Sequence, residues 1–440
     1  MSIFKAYDVR GIYGEELTCQ TAYRIGFFLP QLLKTDKVLV GRDCRISSDA
    51  LFEALVCGIM DAGADAYNLG HSTTPMVYYA TAKYKFHASV QITASHNPKQ
   101  YNGFKISATK ARPVGYDNGL AELEHMVMNE TVTVSCQKGR MHVLDIREEY
   151  IAFMKANCPD VSGIKIGVDC SNGMAALLIR DILGSNAIYE NDALDGTFPV
   201  HEPNPLDEKN TRPMCRLVKE KGLDIGIVFD GDADRVVFID ETGSRVESDL
   251  IIPILAEPYL KKHAETILYD IRTSRAVPEF IRAHGGKPYM WKVGHAFAKR
   301  KMRELDAAVG GELAGHYYMR DFFYCDSGIL AALKVLESLS TEKLGKRIKA
   351  IRSYYNSGER NYRVNNKEKA ISQLQMELTR YEDPDAIYDF DGIRLDFPHW
   401  WISIRQSNTE DYLRVVAEAD NKDLLKAVIK QVDETVIQFQ

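Results

Sequence analysis

Three carboxylates alternate in Phe-Asp-Gly-Asp-Ala-Asp-Arg: Asp230, Asp232 and Asp234. In an extended loop alternate side chains point the same way. Like charges that close repel strongly, and a hard divalent cation such as Mg²⁺ is the natural counter-charge. An EF-hand would use Glu241 as its twelfth residue, but its sixth is Arg235, where that loop needs glycine, and both flanks read as strands. Three carboxylates leave an octahedral ion short of oxygen. A donor is legible at Gln-Ile-Thr-Ala-Ser-His-Asn-Pro, residues 91–98. Val90 and Ile92 alternate with Ser89, Gln91 and Thr93 as in a strand, and Pro98 helps stop the run. The turn so formed carries Ser95 beside His96. A phosphate on Ser95 would complete the ion's shell, which makes Ser95 a candidate phosphoryl carrier.

Phosphoryl transfer is largely positioning and charge stabilisation, so cations should surround the two loops. Arg235, in the metal loop, can hold a phosphate oxygen. Arg10 in Lys-Ala-Tyr-Asp-Val-Arg-Gly and Lys105 in Tyr-Asn-Gly-Phe-Lys-Ile stand beside glycine-containing turns. Arg-Gln-Ser-Asn-Thr-Glu-Asp-Tyr-Leu-Arg reads as an anion cradle: Arg405 and Arg414 bring planar forks, and Ser407, Asn408 and Thr409 bring hydroxyls, an amide and backbone N–H groups. Gly-Gly-Glu-Leu-Ala-Gly-His supplies Glu312 for sugar hydroxyls and His316 to move a proton. Lys-Val-Gly-His, with Lys292 and His295, can meet another part of the ligand.

The elements that must position these residues recur three times. Stretches 37–70, 165–191 and 266–295 each read as an apolar strand, an aspartate (Asp43, Asp169, Asp270), a polar turn, an apolar helix, glycine, and a second strand. In the first, Ser47 or Ser48 is the expected helix cap and Gly63 the stop. Each unit leads to a further strand ending in one of the chemical loops: the Ser95 loop, the aspartate loop or the Glu312 loop. Strands alternating with helices imply βαβ units and largely parallel sheets, whose strand-end loops hold ligands. Beyond about residue 365 the pattern changes to short strands, then a helix from about Asn421. The fold class expected is α/β, with three similar mixed-sheet domains (1–150, 151–254, 255–365) and a smaller α+β domain (366–440) around a central cleft.

The 440 residues suffice for several domains, and 45% are hydrophobic. A net charge of −6 argues against a general partner in nucleic acid or an anionic membrane. Small anionic ligands remain open, because local arginines can outvote the total. No basic, apolar leader is read, and no apolar run is long enough to span a bilayer. The eight cysteines show no CxxC pair and fit reduced thiols in a cytoplasm. Oligomeric state is not legible.

Together the motifs Ala-Tyr-Asp-Val-Arg-Gly, Thr-Ala-Ser-His-Asn-Pro, Phe-Asp-Gly-Asp-Ala-Asp-Arg, Gly-Gly-Glu-Leu-Ala-Gly-His and Arg-Gln-Ser-Asn-Thr-Glu, in this order over essentially the whole chain, resemble the α-D-phosphohexomutase family, which includes phosphomannomutases and phosphoglucomutases. The resemblance implies four domains around a deep cleft. It implies that Ser95 is a phosphoserine and that Asp230, Asp232 and Asp234 bind Mg²⁺ with its phosphate. Arg10, Lys105 and His316 would assist transfer. Glu312 and the Lys292–His295 loop would read the sugar, and Arg405, Ser407, Asn408 and Thr409 the distant phosphate. The reaction implied is hexose 6-phosphate to hexose 1-phosphate through a hexose 1,6-bisphosphate, which also serves as activator, with the fourth domain as a moving lid. Arg-Asp-Phe-Phe-Tyr-Cys-Asp-Ser-Gly looks most like the bacterial phosphomannomutase branch. Three departures stand out: Ala314 where the sugar loop often has serine, Asp411 where proline is usual, and Ser327 where a second aspartate is frequent.

Overall fold

A computed structural model describes residues 2–380, 382–406 and 412–439. Four sheets are present among them. In the first, Lys37–Arg42 runs parallel to both Asp65–His71 and Ala88–Ile92, and the latter pairs antiparallel with Tyr101–Ala108. In the second, Ile166–Asp169 runs parallel to Ala187–Glu190 and Ile225–Phe229, and Val236–Asp240 returns antiparallel. The third repeats the plan with Thr266–Asp270 between Lys287–Trp291 and Val309–Gly311, followed by antiparallel Tyr317–Met319. The three chemical loops therefore all leave the carboxyl ends of parallel strands. Both faces of Ala88–Ile92 are buried: its polar side packs on the helix Thr74–Lys83, where Thr81 Oγ1 donates to Ser89 Oγ at 2.7 Å.

The aspartate shared by the three units has one local job. Its Oδ1 accepts the amide two residues on: Arg45 N to Asp43 at 3.0 Å, Ser171 N to Asp169 at 2.8 Å, Arg272 N to Asp270 at 2.7 Å. This Asx turn redirects the chain from strand to helix. Two details differ from the sequence reading. Neither serine caps helix Ser48–Asp61 through its side chain: Ser47, at the cap position, accepts Asn102 Nδ2 on its Oγ at 2.8 Å, and Ser48 Oγ is turned to Asp43 Oδ1 at 2.6 Å. The helix of the second unit is broken into a 3₁₀ turn, Met174–Leu177, and a short helix, Ile179–Leu183; Met174 N is tied across to Gly231 O at 2.9 Å.

The fourth sheet is wholly antiparallel and carries helices Lys367–Leu378 and Lys422–Val436. Asn421 caps the second, accepting Leu424 N at 2.9 Å. Strands Tyr355–Asn356 and Arg360–Arg363 also pair in this sheet, ahead of the expected boundary at 366, because both lie alongside Tyr412–Ala419. One apolar core runs through the first three sheets, joining Tyr79, Phe229 and Phe322, whereas the fourth has its own around Leu374, Leu395 and Val432. A cavity of about 400 Å³ opens at the junction of the third and fourth sheets, lined in part by Asp249, Tyr354 and Glu418. Burial, partly offset by the Ser274 amide, pushes the Asp249 carboxyl up to about 7, and Glu418, Glu247 and Asp270 add to the rise. A carboxyl held up in the folded state favours folding when protonated, and that contribution is lost as pH climbs through its folded pKa. Asp249→Asn is therefore expected to gain in Tm over wild type as pH rises from about 4 to about 7. A Tm difference that stays flat over this window in thermal scans would rule the effect out.

Candidate active site

Ser95 has φ 52°, a left-handed conformation that costs a non-glycine residue energy and persists only where neighbours enforce it. The enforcement is explicit. Ser95 N donates to Thr93 Oγ1 at 2.8 Å. Arg45, with almost no exposed surface, donates to four carbonyls of the loop: Ser95 O at 2.9 Å, Asn97 O at 2.7 Å, Pro98 O at 2.8 Å and Tyr101 O at 3.0 Å. Asp43 Oδ2 holds the same guanidinium at 3.1 Å. The sequence reading missed Arg45, although its place two residues after a strand-ending aspartate was a signal. A lysine has three donors on one atom and cannot span four carbonyls. Arg45→Lys is expected to cost at least ~2 kcal/mol of stability and to lower turnover; denaturant unfolding with the midpoint unchanged would refute this.

The aspartate loop meets Ser95 from the second sheet. Ser95 Oγ donates to Asp230 Oδ2 at 2.7 Å and lies 3.3 Å from His96 Nδ1. The approach requires Gly231, since a Cβ there would lie 2.4 Å from Ser95 O. Asp230, Asp232 and Asp234 are fully buried, with ligand-type oxygens within 4.8 Å of one another. Lys105 Nζ donates to Asp232 Oδ2 at 2.6 Å and also to Asp234 Oδ2. Thr74 Oγ1 donates to Asp232 as well. Asp232 Oδ1 and Asp234 Oδ1 are left buried without a hydrogen-bond partner. Two orphaned carboxylate oxygens in a buried anionic cluster fit a hard divalent cation. The electrostatics agree: burial, then Asp232 and Asp234, push the Asp230 carboxyl well above the usual range. Burial opposes the Lys105 charge, but the three aspartates outweigh it and hold its pKa up.

Cations ring this centre. Arg10 Nη1 donates to Asn97 Oδ1 at 2.6 Å, and its Nε is buried without a partner. Arg235 Nε lies 3.9 Å from Asp230 Oδ2 and donates to His316 Nε2 at 2.9 Å. Burial, then Arg235, Arg10 and Lys105, hold the His96 pKa well below its ordinary value, so the ring is neutral. His316 Nδ1 faces Asp326 Oδ2 at 2.7 Å. Asp326 was not singled out in the sequence, although Asp-Ser-Gly before an apolar run marks a helix start. The neighbouring departure, Ser327, serves that start: its Oγ caps Leu330 N at 3.2 Å.

On the loop expected to read the sugar, buried Glu312 accepts Tyr318 OH at 2.5 Å and Gly294 N at 3.1 Å, which joins this loop to the Lys292–His295 loop. Burial holds the Glu312 pKa up. Lys292 is half-buried, with Nζ 5.7 Å from the Phe297 ring, and Ala314 is half-buried on the Glu312 loop. Tyr7, also missed, packs edge-on to His295 at 5.8 Å. Arg405 and Arg414 stand directly opposite on antiparallel strands of the fourth sheet. Asp391 pairs with Arg405 at 3.0 Å and Glu359 with Arg414 at 3.4 Å, while Arg405 Nε is buried without a partner. Ser407, Asn408, Thr409 and Asp411 lie outside the described residues.

This fold and site define a class. Family models of the phosphoglucomutase/phosphomannomutase match consecutively: alpha/beta/alpha domain I at 1–131, domain II at 148–243, domain III at 247–356 and the C-terminal domain at 359–435. The chain belongs to the phosphoglucomutase/phosphomannomutase family and is a phosphohexomutase, an isomerase that moves a phosphoryl group. Curated relatives named phosphomannomutase include one from Methanocaldococcus jannaschii, 34% identical over 98% of this chain and 97% of that one, and one from Escherichia coli K12, 36% identical over 95% of each. A solved phosphoglucomutase/phosphomannomutase family protein from Burkholderia thailandensis superposes with a TM-score of 0.90 at 27% identity, over 99% of this chain and 96% of that one. The family is Mg²⁺-dependent, in keeping with the acidic cluster. Among the described residues no helix is long and apolar enough to cross a membrane.

Proposed function

We infer that the protein interconverts mannose 6-phosphate and mannose 1-phosphate through a phosphoserine at Ser95. The observation that carries this is the buried Ser95 Oγ, held 2.7 Å from Asp230 Oδ2 beside two orphaned carboxylate oxygens. Asp230, Asp232, Asp234 and the Ser95 phosphate would hold Mg²⁺, which supplies charge neutralisation at the transferring group. The P–O bond to Ser95 Oγ breaks as a new P–O bond forms to the free sugar hydroxyl. The proton of that hydroxyl goes to His316 Nε2, released from Arg235 as the guanidinium turns to a phosphate oxygen. Arg10 and Lys105 balance the remaining charge. The 1,6-bisphosphate then reorients and returns its other phosphate to Ser95, and added bisphosphate primes dephosphorylated enzyme. Glu312, Lys292 and His295 would contact the sugar, and Arg405, Ser407, Asn408, Thr409 and Arg414 the phosphate not in transfer. Eight free cysteines favour a cytoplasmic setting.

Mannose is favoured by the names of the relatives at 34–36% identity. Glucose phosphate is the second reading, because Ala314 offers no hydroxyl where the sugar loop often has one, and discrimination at C2 rests on such contacts. A coupled assay with Mg²⁺ and trace hexose 1,6-bisphosphate, run on mannose 1-phosphate and glucose 1-phosphate in parallel, decides between them. Equal kcat/KM would make the enzyme dual; activity on neither would overturn the reading. Arg405→Ala is expected to raise KM by roughly 10- to 100-fold, from loss of a charge-assisted contact of about 1.5–3 kcal/mol. Unchanged kcat and KM would remove Arg405 from the phosphate site.

A further inference from the structure

One buried cation packed behind His295 is not used by the reaction above. Lys299 lies one turn after His295 on the helix His295–Leu305 and has no exposed surface. A buried ammonium is costly unless its hydrogens and charge are matched. Here Nζ is 2.7 Å from Asp326 Oδ1, 3.4 Å from His295 Nδ1 and 3.9 Å from the centre of the Tyr78 ring. An ammonium only donates. His295 Nδ1 therefore accepts, and the ring proton of His295 stands on Nε2. On the neighbouring ring the argument runs from the other side. Arg235 Nε donates to His316 Nε2 at 2.9 Å, so the His316 proton stands on Nδ1, facing Asp326 Oδ2 at 2.7 Å. Two imidazoles with centroids 5.9 Å apart are thus held in opposite tautomers.

We propose that Lys299 is a positioning residue that sets both tautomers, that of His295 directly and that of His316 through Asp326. His295 then presents an N–H to the cleft, and His316 presents a lone pair at Nε2. Asp326 stands between the two groups, Oδ1 2.7 Å from the ammonium and Oδ2 2.7 Å from the imidazole, as charge contacts rather than aligned hydrogen bonds, so its influence on the His316 proton is electrostatic. Burial opposes its charge, yet Lys299 and His316 outweigh burial and keep the carboxyl well below the usual range. Asp234, His316 and Asp326 also lie within metal-ligand reach of one another, but Lys299 and Arg235 already balance that charge, so no second cation is assigned there. The catalytic consequence rests on the mutase reading; the tautomer assignment does not.

The test is long-range ¹H–¹⁵N correlation spectroscopy on the full chain labelled at histidine, without substrate. Wild type is expected to show His295 protonated at Nε2 and His316 at Nδ1. Lys299→Met keeps the aliphatic stem and removes the donors; both rings are expected to move to mixed tautomers, with kcat lower by roughly 10- to 100-fold and KM within about 3-fold. Asp326→Asn should alter His316 alone. His295 protonated at Nδ1 in wild type, or both rings unchanged in Lys299→Met, would overturn the proposal. If Lys299→Met fails to fold, an unaltered His316 in Asp326→Asn does the same. The expected tautomers in a protein with no turnover of any hexose phosphate would sink the mutase reading and leave this assignment standing.

Discussion

Ser95→Ala is expected to lower turnover by on the order of 10³-fold or more, while hexose phosphate binding stays within a few-fold of wild type. The asymmetry follows from where the hydroxyl points. Its Oγ is aimed at Asp230 Oδ2, into the metal cluster, and Ser95 carries almost no exposed surface. The ligand contacts proposed for the sugar and the distant phosphate come from other elements, namely the Glu312 loop and the fourth sheet. The change also removes little packing, since the backbone is held by Arg45 and Thr93 rather than by the side chain. Steady-state kinetics with both hexose 1-phosphates, together with calorimetric binding, check this. Wild-type-like rates would end the phosphoserine mechanism, because no other hydroxyl is in contact with Asp230 among the described hydrogen bonds.

Removing the divalent cation is the second large effect. Chelation is expected to reduce activity by roughly 10²-fold or more, restored by Mg²⁺, since a bound metal supplies several kcal/mol of charge stabilisation in phosphoryl transfer. The protein should remain folded, because Lys105 already pairs with Asp232 and Asp234. Burial and its like-charged neighbours hold the Asp230 carboxyl up, so without the cation one proton can substitute in part for the missing charge. Chelated enzyme with full activity and an unchanged melting temperature would show that the three aspartates do not serve a metal. Circular dichroism on the same samples separates loss of metal from loss of fold.

How much of this was legible beforehand can be read from particular residues. Asp230, Asp232 and Asp234 announce themselves because their chemistry is local: three carboxylates in five residues need a counter-charge whatever surrounds them. Ser95 on a polar turn after an apolar strand, and Glu312 and His316 on a glycine-rich loop, are local in the same sense. The strand–aspartate–turn–helix unit is local too, since its Asx turn spans two residues. Arg45, Tyr7, Lys299 and Asp326 were missed for the converse reason. Each acts on a partner in another segment of the chain: Arg45 on residues 95–101, Tyr7 on His295, and Asp326 on both Lys299 and His316. Likewise, no periodicity tells that strands 355–356 and 360–363 pair beside 412–419.

The amino-acid sequence by itself therefore determined the chemical groups, the repeating α/β units that carry them and the order of the loops, because turn chemistry and hydrophobic spacing act within a few residues. The tertiary structure alone decided which oxygens stay unpaired, which nitrogens hold protons and which arginine clamps the serine loop. Those depend on distances between segments far apart in the chain, 135 residues between Ser95 and Asp230 and 158 between Thr74 and Asp232, and burial turns such distances into energies that a linear reading cannot assign.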